Sequence, residues 1–517
     1  MSSVARRAAQ AGDWATVRSF AKKIIKQDKK NPEGYFLSGL AEKGNGRSMP
    51  AISAFSRAIQ LDKNRYDAAV ELANQYAIVQ RNGEATDILK RFVPRLSNSP
   101  LYLDLAATVY TRLGLHADAW PLLQKANQLQ PDLDQFQANL AACAVFLGKI
   151  PEARELYLRL LQRYPDHQRN HYELSRLEKA KDASHIEQMQ QSLARTGLSA
   201  EKNIFMYYAL GKELEDLQRW SESFNYYKMA GDAVTGVSPY EIATDLELIY
   251  KIIEVSNPKW LAAASTRHQS AATGKTPIFI VGLPRTGTTL TERIVSSHSQ
   301  VESAEETFFL QMMIARASGT KNPQDMTAKM VENAAKKDMR PIAEGYMSAV
   351  AYKLGDRPYF IEKLPENYLY LGFIARAFPQ ARIIHLKRNP MDSCFAMFKQ
   401  SFFKYAYTLD SLGKYYVAYD RLCRHWREVL GDRVIELEYE SLVADQERQI
   451  RKLLDRLGLD FEQACIDFDQ NTAPSATASA VQVREKVHTR SIEKWKRFEN
   501  ELQPLKQYLE NAGISLQ

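Results

Sequence analysis

The sequence predicts two architectures in one chain: an N-terminal α-helical solenoid, then an α/β domain with a parallel sheet and a P-loop-like turn. Three observations carry this. Small residues recur at a step of 34 through the first third of the chain. Short apolar, β-branched runs alternate with helical patterns after residue 276. The first of those runs ends in a glycine turn that opens a helix. A chain of 517 residues predicts more than one domain. Hydrophobic residues make up 45% and charged residues 25%, which excludes disordered, collagenous and purely coiled-coil readings.

The repeat series are Ala51, Ala85, Ala119 and Ala153; Gly39, Ala73, Ala107, Ala141 and Ser175; and Phe55, Leu89, Leu123 and Tyr157. Gly114 and Gly148, and Pro131 and Pro165, keep the same step. Antiparallel helices approach closely only where side chains are small, and each repeat buries its face on the next. The offsets resemble the tetratricopeptide repeat. An imperfect unit precedes them around Trp14 and Ile24, and Gly211, Ser223, Tyr227 and Ala230 keep the spacing after a shift of register. The solenoid is therefore assigned to 1–255, and the small, polar stretch after it to a linker at 256–276. The α/β domain takes 277–517. Such repeats suit a peptide surface, a protein partner or self-association.

The apolar runs are 277–282, 359–361, 382–386 and 434–437, with helical patterns between them, as at 442–457. That alternation predicts a parallel sheet covered on both faces. The segment Gly282-Leu283-Pro284-Arg285-Thr286-Gly287-Thr288-Thr289 leads into a helical pattern at 290–297. A strand, a glycine turn and a helix start aim backbone N–H groups and the positive end of the helix dipole at an anion. The nucleotide-triphosphatase form, GxxxxGK[ST], needs lysine where this chain has Thr288, and a magnesium carboxylate after a later strand. Here Lys387 and Arg388 follow instead.

Pro284-Arg285-Thr286-Gly287-Thr288-Thr289 resembles the 5′-phosphosulfate loop of sulfotransferases that use 3′-phosphoadenosine 5′-phosphosulfate (PAPS). The likeness continues through Ser297-His298-Ser299-Gln300-Val301 to Ala304-Glu305-Glu306-Thr307, which is similar to protein-tyrosine sulfotransferases. With the repeats, the chain resembles the tetratricopeptide-repeat sulfotransferase proteins. The resemblance implies a role for each matching residue. Arg285, Thr286, Gly287, Thr288 and Thr289 hold the phosphosulfate. Glu306 is the general base, and Lys363 stabilises the transferring sulfuryl group. Arg388, Ser479 and Lys494 hold the 3′-phosphate, and Tyr439 contacts the nucleotide. No metal is implied. The family's serine eight residues after the 3′-phosphate arginine is Ala396 here, and an arginine four further on is Gln400. The plain alternatives are acidic first-turn residues for Glu305–Glu306, surface pairing of Lys363 with Glu362 or Glu366, a packed aromatic for Tyr439 and a basic tail helix for 494–497. His298 reads as a packing or capping residue, and His385 as a buried one.

The acceptor read first is a tyrosine in a peptide. A carbohydrate or other small hydroxyl compound is the alternative, because Phe308 stands where a peptide enzyme would place a basic side chain. A repeat scaffold with a nucleotide-binding but inactive domain is a third reading, motivated by Ala396. A net charge of +8 suits anionic ligands but predicts no nucleic-acid partner. No apolar run approaches the ~18–20 residues of a membrane span, and the basic start lacks an apolar stretch after it, so neither membrane nor secretion is expected. Four scattered cysteines, Cys143, Cys394, Cys423 and Cys465, predict buried thiols in a reducing cytoplasm.

Overall fold

The computed structural model describes residues 2–96, 99–263, 274–320, 325–477, 481–484 and 486–516. The chain forms two compact units, Met1–Leu156 and Tyr157–Gln517. Among the described residues, no helix is long and apolar enough to cross a membrane.

The first unit is built of helical hairpins. Pro32–Gly44 pairs with Ser48–Leu61, Tyr66–Ile78 with Asn82–Phe92, and Pro100–Arg112 with His116–Leu129. The 34-residue series mark the contacts. Ala51, Ala85, Ala119, Ala153, Ala73, Ala107 and Ala141 are fully buried, as are Phe55 and Leu89. At Gly39 an added Cβ would lie 2.4 Å from the Phe55 ring, so a series of small residues meets the aromatic series inside a hairpin. The repeats are tetratricopeptide-like in this packing.

The second unit continues with helices and then turns to α/β structure. Gly211 packs on Tyr227, and the Ser223 hydroxyl donates to the Gly211 carbonyl at 2.7 Å, which preserves the contact within a repeat after the register shift. These helices share an apolar core with the sheet region. Phe224 stacks on Phe398 with ring centroids 5.5 Å apart, and Trp220 meets Phe498 edge-on at 5.4 Å. The stretch expected as a linker, 256–276, begins instead with the helix Pro258–Ala262, capped by the Asn257 side chain. Trp260 pins it, edge-on to Phe373 and donating from Nε1 to the Ala335 carbonyl at 2.8 Å. A large aromatic with a satisfied N–H fixes a segment that its small polar neighbours would leave unattached. Residues 264–273 lie outside the described residues.

Among the described residues, five strands form one parallel sheet: β1 (Thr276–Gly282), β2 (Val301–Ser303), β3 (Tyr359–Lys363), β4 (Arg382–Lys387) and β5 (Val434–Glu438), in the order β2–β3–β1–β4–β5. Four follow the apolar runs. β2 does not, because a three-residue edge strand, Val-Glu-Ser, buries only its first side chain. β1 is apolar and buried from Pro277 on because both faces are covered. Phe279 and Val281 enter the core shared with the helical region, while Ile278 and Ile280 enter a second core with Ile384, Leu386 and Leu453. β1 lies between β3 and β4, so the crevice outside its carboxyl end is the ligand position of an open parallel sheet.

Phe224→Ala removes a ring that joins the helices to the sheet region. It is expected to cost about 3 kcal/mol, read as a lower unfolding midpoint for the second unit alone.

Candidate active site

Every strand of the sheet runs at its carboxyl end into residues singled out above. β1 ends at Gly282, where φ is 149° and a Cβ would stand 2.5 Å from the Leu386 carbonyl of β4. The Thr286 hydroxyl closes the turn by donating to the Leu283 carbonyl at 2.7 Å. Gly287, at φ 100°, caps the helix Thr288–Ser296, and a Cβ there would lie 2.6 Å from the Tyr439 ring. The first N–H groups of a helix have no partner within it, so this turn presents donors and a positive dipole end together. Thr288 and Thr289 are buried at that end.

Glu306 and Lys363 meet. Lys363 ends β3 with its side chain fully buried, and its ammonium donates to Glu306 Oε1 and lies 3.6 Å from Glu292 Oε2. Burial works against the ammonium, but Glu292 and Glu306 outweigh it and hold the group above its ordinary range. Burial raises Glu292, whose Oε1 accepts from the Ser303 hydroxyl at 2.6 Å. The Glu306 side chain is 37% exposed. Glu305 has φ 60° and pairs with Lys353 at 3.0 Å, so the adjacent carboxylates have different partners. The segment 304–307 is not a helix start. It extends the β2–β3 ladder through Ala304 N–H to the Ile361 carbonyl at 2.8 Å and Lys363 N–H to the Glu305 carbonyl at 3.0 Å.

Glu362 does not pair with Lys363, because successive strand residues face opposite sides. It is fully buried, accepts from the Thr307 N–H at 3.1 Å and hydroxyl at 2.7 Å, and accepts from the Tyr346 hydroxyl at 3.0 Å. Burial pushes its carboxyl up to about 8. Glu362 thus anchors the segment that carries Glu306. Glu292 was not singled out from the sequence, and Glu362 was named only as a surface partner for Lys363; strand alternation was the signal for its buried position.

A second cluster lies at β4 and β5. Arg388 donates to the Arg285 carbonyl at 2.8 Å and the Ser491 carbonyl at 2.6 Å, and stacks over the Tyr439 ring at 4.9 Å. Tyr439 OH bonds Ser491 Oγ at 2.7 Å. Arg285 adopts φ 69°, and burial and then the Arg388 charge lower its guanidinium to about 10. The structure therefore brings Arg285, the 286–289 turn, Arg388 and Tyr439 together. Lys494 engages Glu215. Ser479 lies outside the described residues. Ala396 is half-buried, and Ser393 is buried with its hydroxyl 3.5 Å from the Arg388 carbonyl. His298 is buried against the Asp460 carbonyl at 2.9 Å, and His385 against Tyr419 OH at 2.8 Å, each packed as expected.

Residues 277–463 match the sulfotransferase family model. The matched residues take in the glycine turn and the strands β2 to β5. The match contains Glu306, Lys363, Arg388 and Tyr439 and ends before Lys494. Over 429 residues, 81% of the chain, the sequence is 27% identical to an uncharacterised protein of Aquifex aeolicus (strain VF5) and spans 56% of that protein's length. Over 231 residues, 42% of the chain, it is 25% identical to protein-tyrosine sulfotransferase 1 of Danio rerio and spans 65% of its length. Among solved structures, the sulfotransferase domain from the curacin biosynthetic pathway aligns over 48% of this chain and 100% of its own, at 15% identity and TM-score 0.34. YrrB, a tetratricopeptide-repeat protein with an unusual peptide-binding site, aligns over 40% of this chain and 97% of its own, at 17% identity and TM-score 0.29.

In the glycine turn, Gly287→Ala combines left-handed backbone strain with contact on Tyr439. A loss of about 1–3 kcal/mol is expected, measured by denaturant unfolding. Glu362 keeps a proton in the folded chain from about pH 5 to about pH 8, whereas the unfolded chain has released it. Its contribution to stability therefore falls as pH rises through that window. Glu362→Gln removes the titration, so the melting temperature of the variant relative to the parent is expected to climb from pH 5 to pH 8.

Proposed function

We propose that this protein is a PAPS-dependent sulfotransferase whose acceptor is a hydroxyl, with peptide tyrosine as the first choice. The Glu306–Lys363 pair beside the 286–289 turn carries the reading. A hydroxyl is a poor nucleophile until its proton leaves, and a placed carboxylate contributes roughly 10²–10⁴-fold. Glu306 takes that proton as the acceptor oxygen bonds to sulfur. The sulfur–oxygen bond to the phosphate breaks, and the negative charge that develops there is met by the Lys363 ammonium and the turn's N–H groups. Arg388 supplies the guanidinium for the 3′-phosphate, with Tyr439 beside it and Lys494 and Ser479 as the closing residues. No step in this scheme calls on a metal. The repeats serve as an acceptor or partner surface, and the cytoplasm is the assigned compartment.

Phe308, 64% exposed next to the Glu306 segment, favours a second reading in which the acceptor is a carbohydrate or other small hydroxyl compound. Ala396 motivates a third, a scaffold that binds nucleotide without turnover.

The test is transfer of labelled sulfuryl groups from PAPS to tyrosine peptides and oligosaccharides in parallel. Glu306→Ala is expected to lose about 10²–10⁴-fold in kcat while still binding adenosine 3′,5′-bisphosphate. Undiminished turnover in that variant removes Glu306 as the base. Bisphosphate binding with no transfer to any acceptor supports the scaffold reading.

A further inference from the structure

We propose that Lys399, held in place by Glu215 of the helical region, recognises the donor's 3′-phosphate and replaces the hydroxyl absent at Ala396. The proposal rests on the reading of the site as one for a 3′-phosphorylated adenylate. Lys399 follows the helix Pro390–Phe398, three residues past Ala396 and eleven past Arg388. Its ammonium donates to both Glu215 oxygens, at 2.9 and 3.0 Å. The ammonium of Lys494, a residue assigned to the 3′-phosphate, engages the same carboxylate. Tyr227 OH donates to Glu215 Oε2 at 3.0 Å. Two lysines thus converge on one buried carboxylate that comes from the helix Ile204–Asp216, outside the family domain.

A frame of backbone bonds ties this cluster to Arg388. Asp392, in the first turn of the helix that leads to Lys399, accepts from the Glu493 N–H at 2.7 Å and the Trp495 N–H at 3.1 Å, bracketing Lys494. Arg388 holds the Ser491 carbonyl three residues before Lys494. The groups facing Lys399 are Glu215, with Tyr227 behind it, and the cations Lys494 and Arg285. Burial lowers Lys399 to about 8; Glu215 opposes this, and repulsion from Lys494 and Arg285 adds to it. Two carboxylate oxygens accept from Lys399, and its ammonium lies 4.6 Å from the centroid of the Phe395 ring; in the proposal, the third N–H donor of the ammonium turns to a phosphate oxygen. A buried ion pair adds little net stability over an apolar pair of the same volume. A cationic cluster that a dianion enters gives this arrangement a use that packing alone does not.

Calorimetry on the full chain with adenosine 3′,5′-bisphosphate and with adenosine 5′-monophosphate tests this. Lys399→Met is expected to weaken the bisphosphate about ten- to one-hundred-fold and leave the monophosphate unchanged, with Lys399→Arg restoring most of the loss. Glu215→Gln strips Lys399 of the charge that keeps its proton. That variant is expected to bind the bisphosphate weakly at pH 7.5 and to recover as pH falls, a dependence that a purely structural role would not produce. Equal loss of both nucleotides in Lys399→Met, or no loss of either, overturns the proposal. A parent chain that does not prefer the bisphosphate overturns it too and takes the donor reading with it. If the parent prefers the bisphosphate and Lys399→Met matches it, only Lys399 is removed.

Discussion

The site depends on an ammonium buried at the end of β3. Removing a charge from water is costly unless opposite charge and hydrogen bonds meet it inside. Lys363 satisfies this with two carboxylates on different elements, Glu292 on the helix after the glycine turn and Glu306 after β2. The requirement draws two strand ends and one helix to a single point. It also leaves Glu306 as the more exposed of the two carboxylates.

Much of the fold was legible because it obeys simple periods. The 34-residue step survives as buried alanines, and four of five strands coincide with apolar runs that both faces of the sheet require. β2 escaped because an edge strand of three residues carries no such run. The segment at 258–262 escaped because one tryptophan outweighs its small neighbours.

At the site, the turn, Glu306, Lys363, Arg388 and Tyr439 were legible from motif and strand-end position. Glu292, Glu362 and Ser491 were not, since each acts by holding another residue. Nothing local in sequence joins Glu362 to Thr307, or Arg388 to the Ser491 carbonyl; folding brings them together across more than fifty residues. Glu215 is further still, 184 residues from Lys399, and lies in a region whose sequence speaks only of helix packing.

The helices after residue 157 and those that flank the sheet bury one another's aromatic rings, as Phe224 on Phe398 and Trp260 on Phe373. Excision at 277 would therefore strip a flank of the sheet and leave oily surface bare to water. From Tyr157 on, the helices and the α/β elements are one compact body, and either half alone would lose the apolar cover that the other provides.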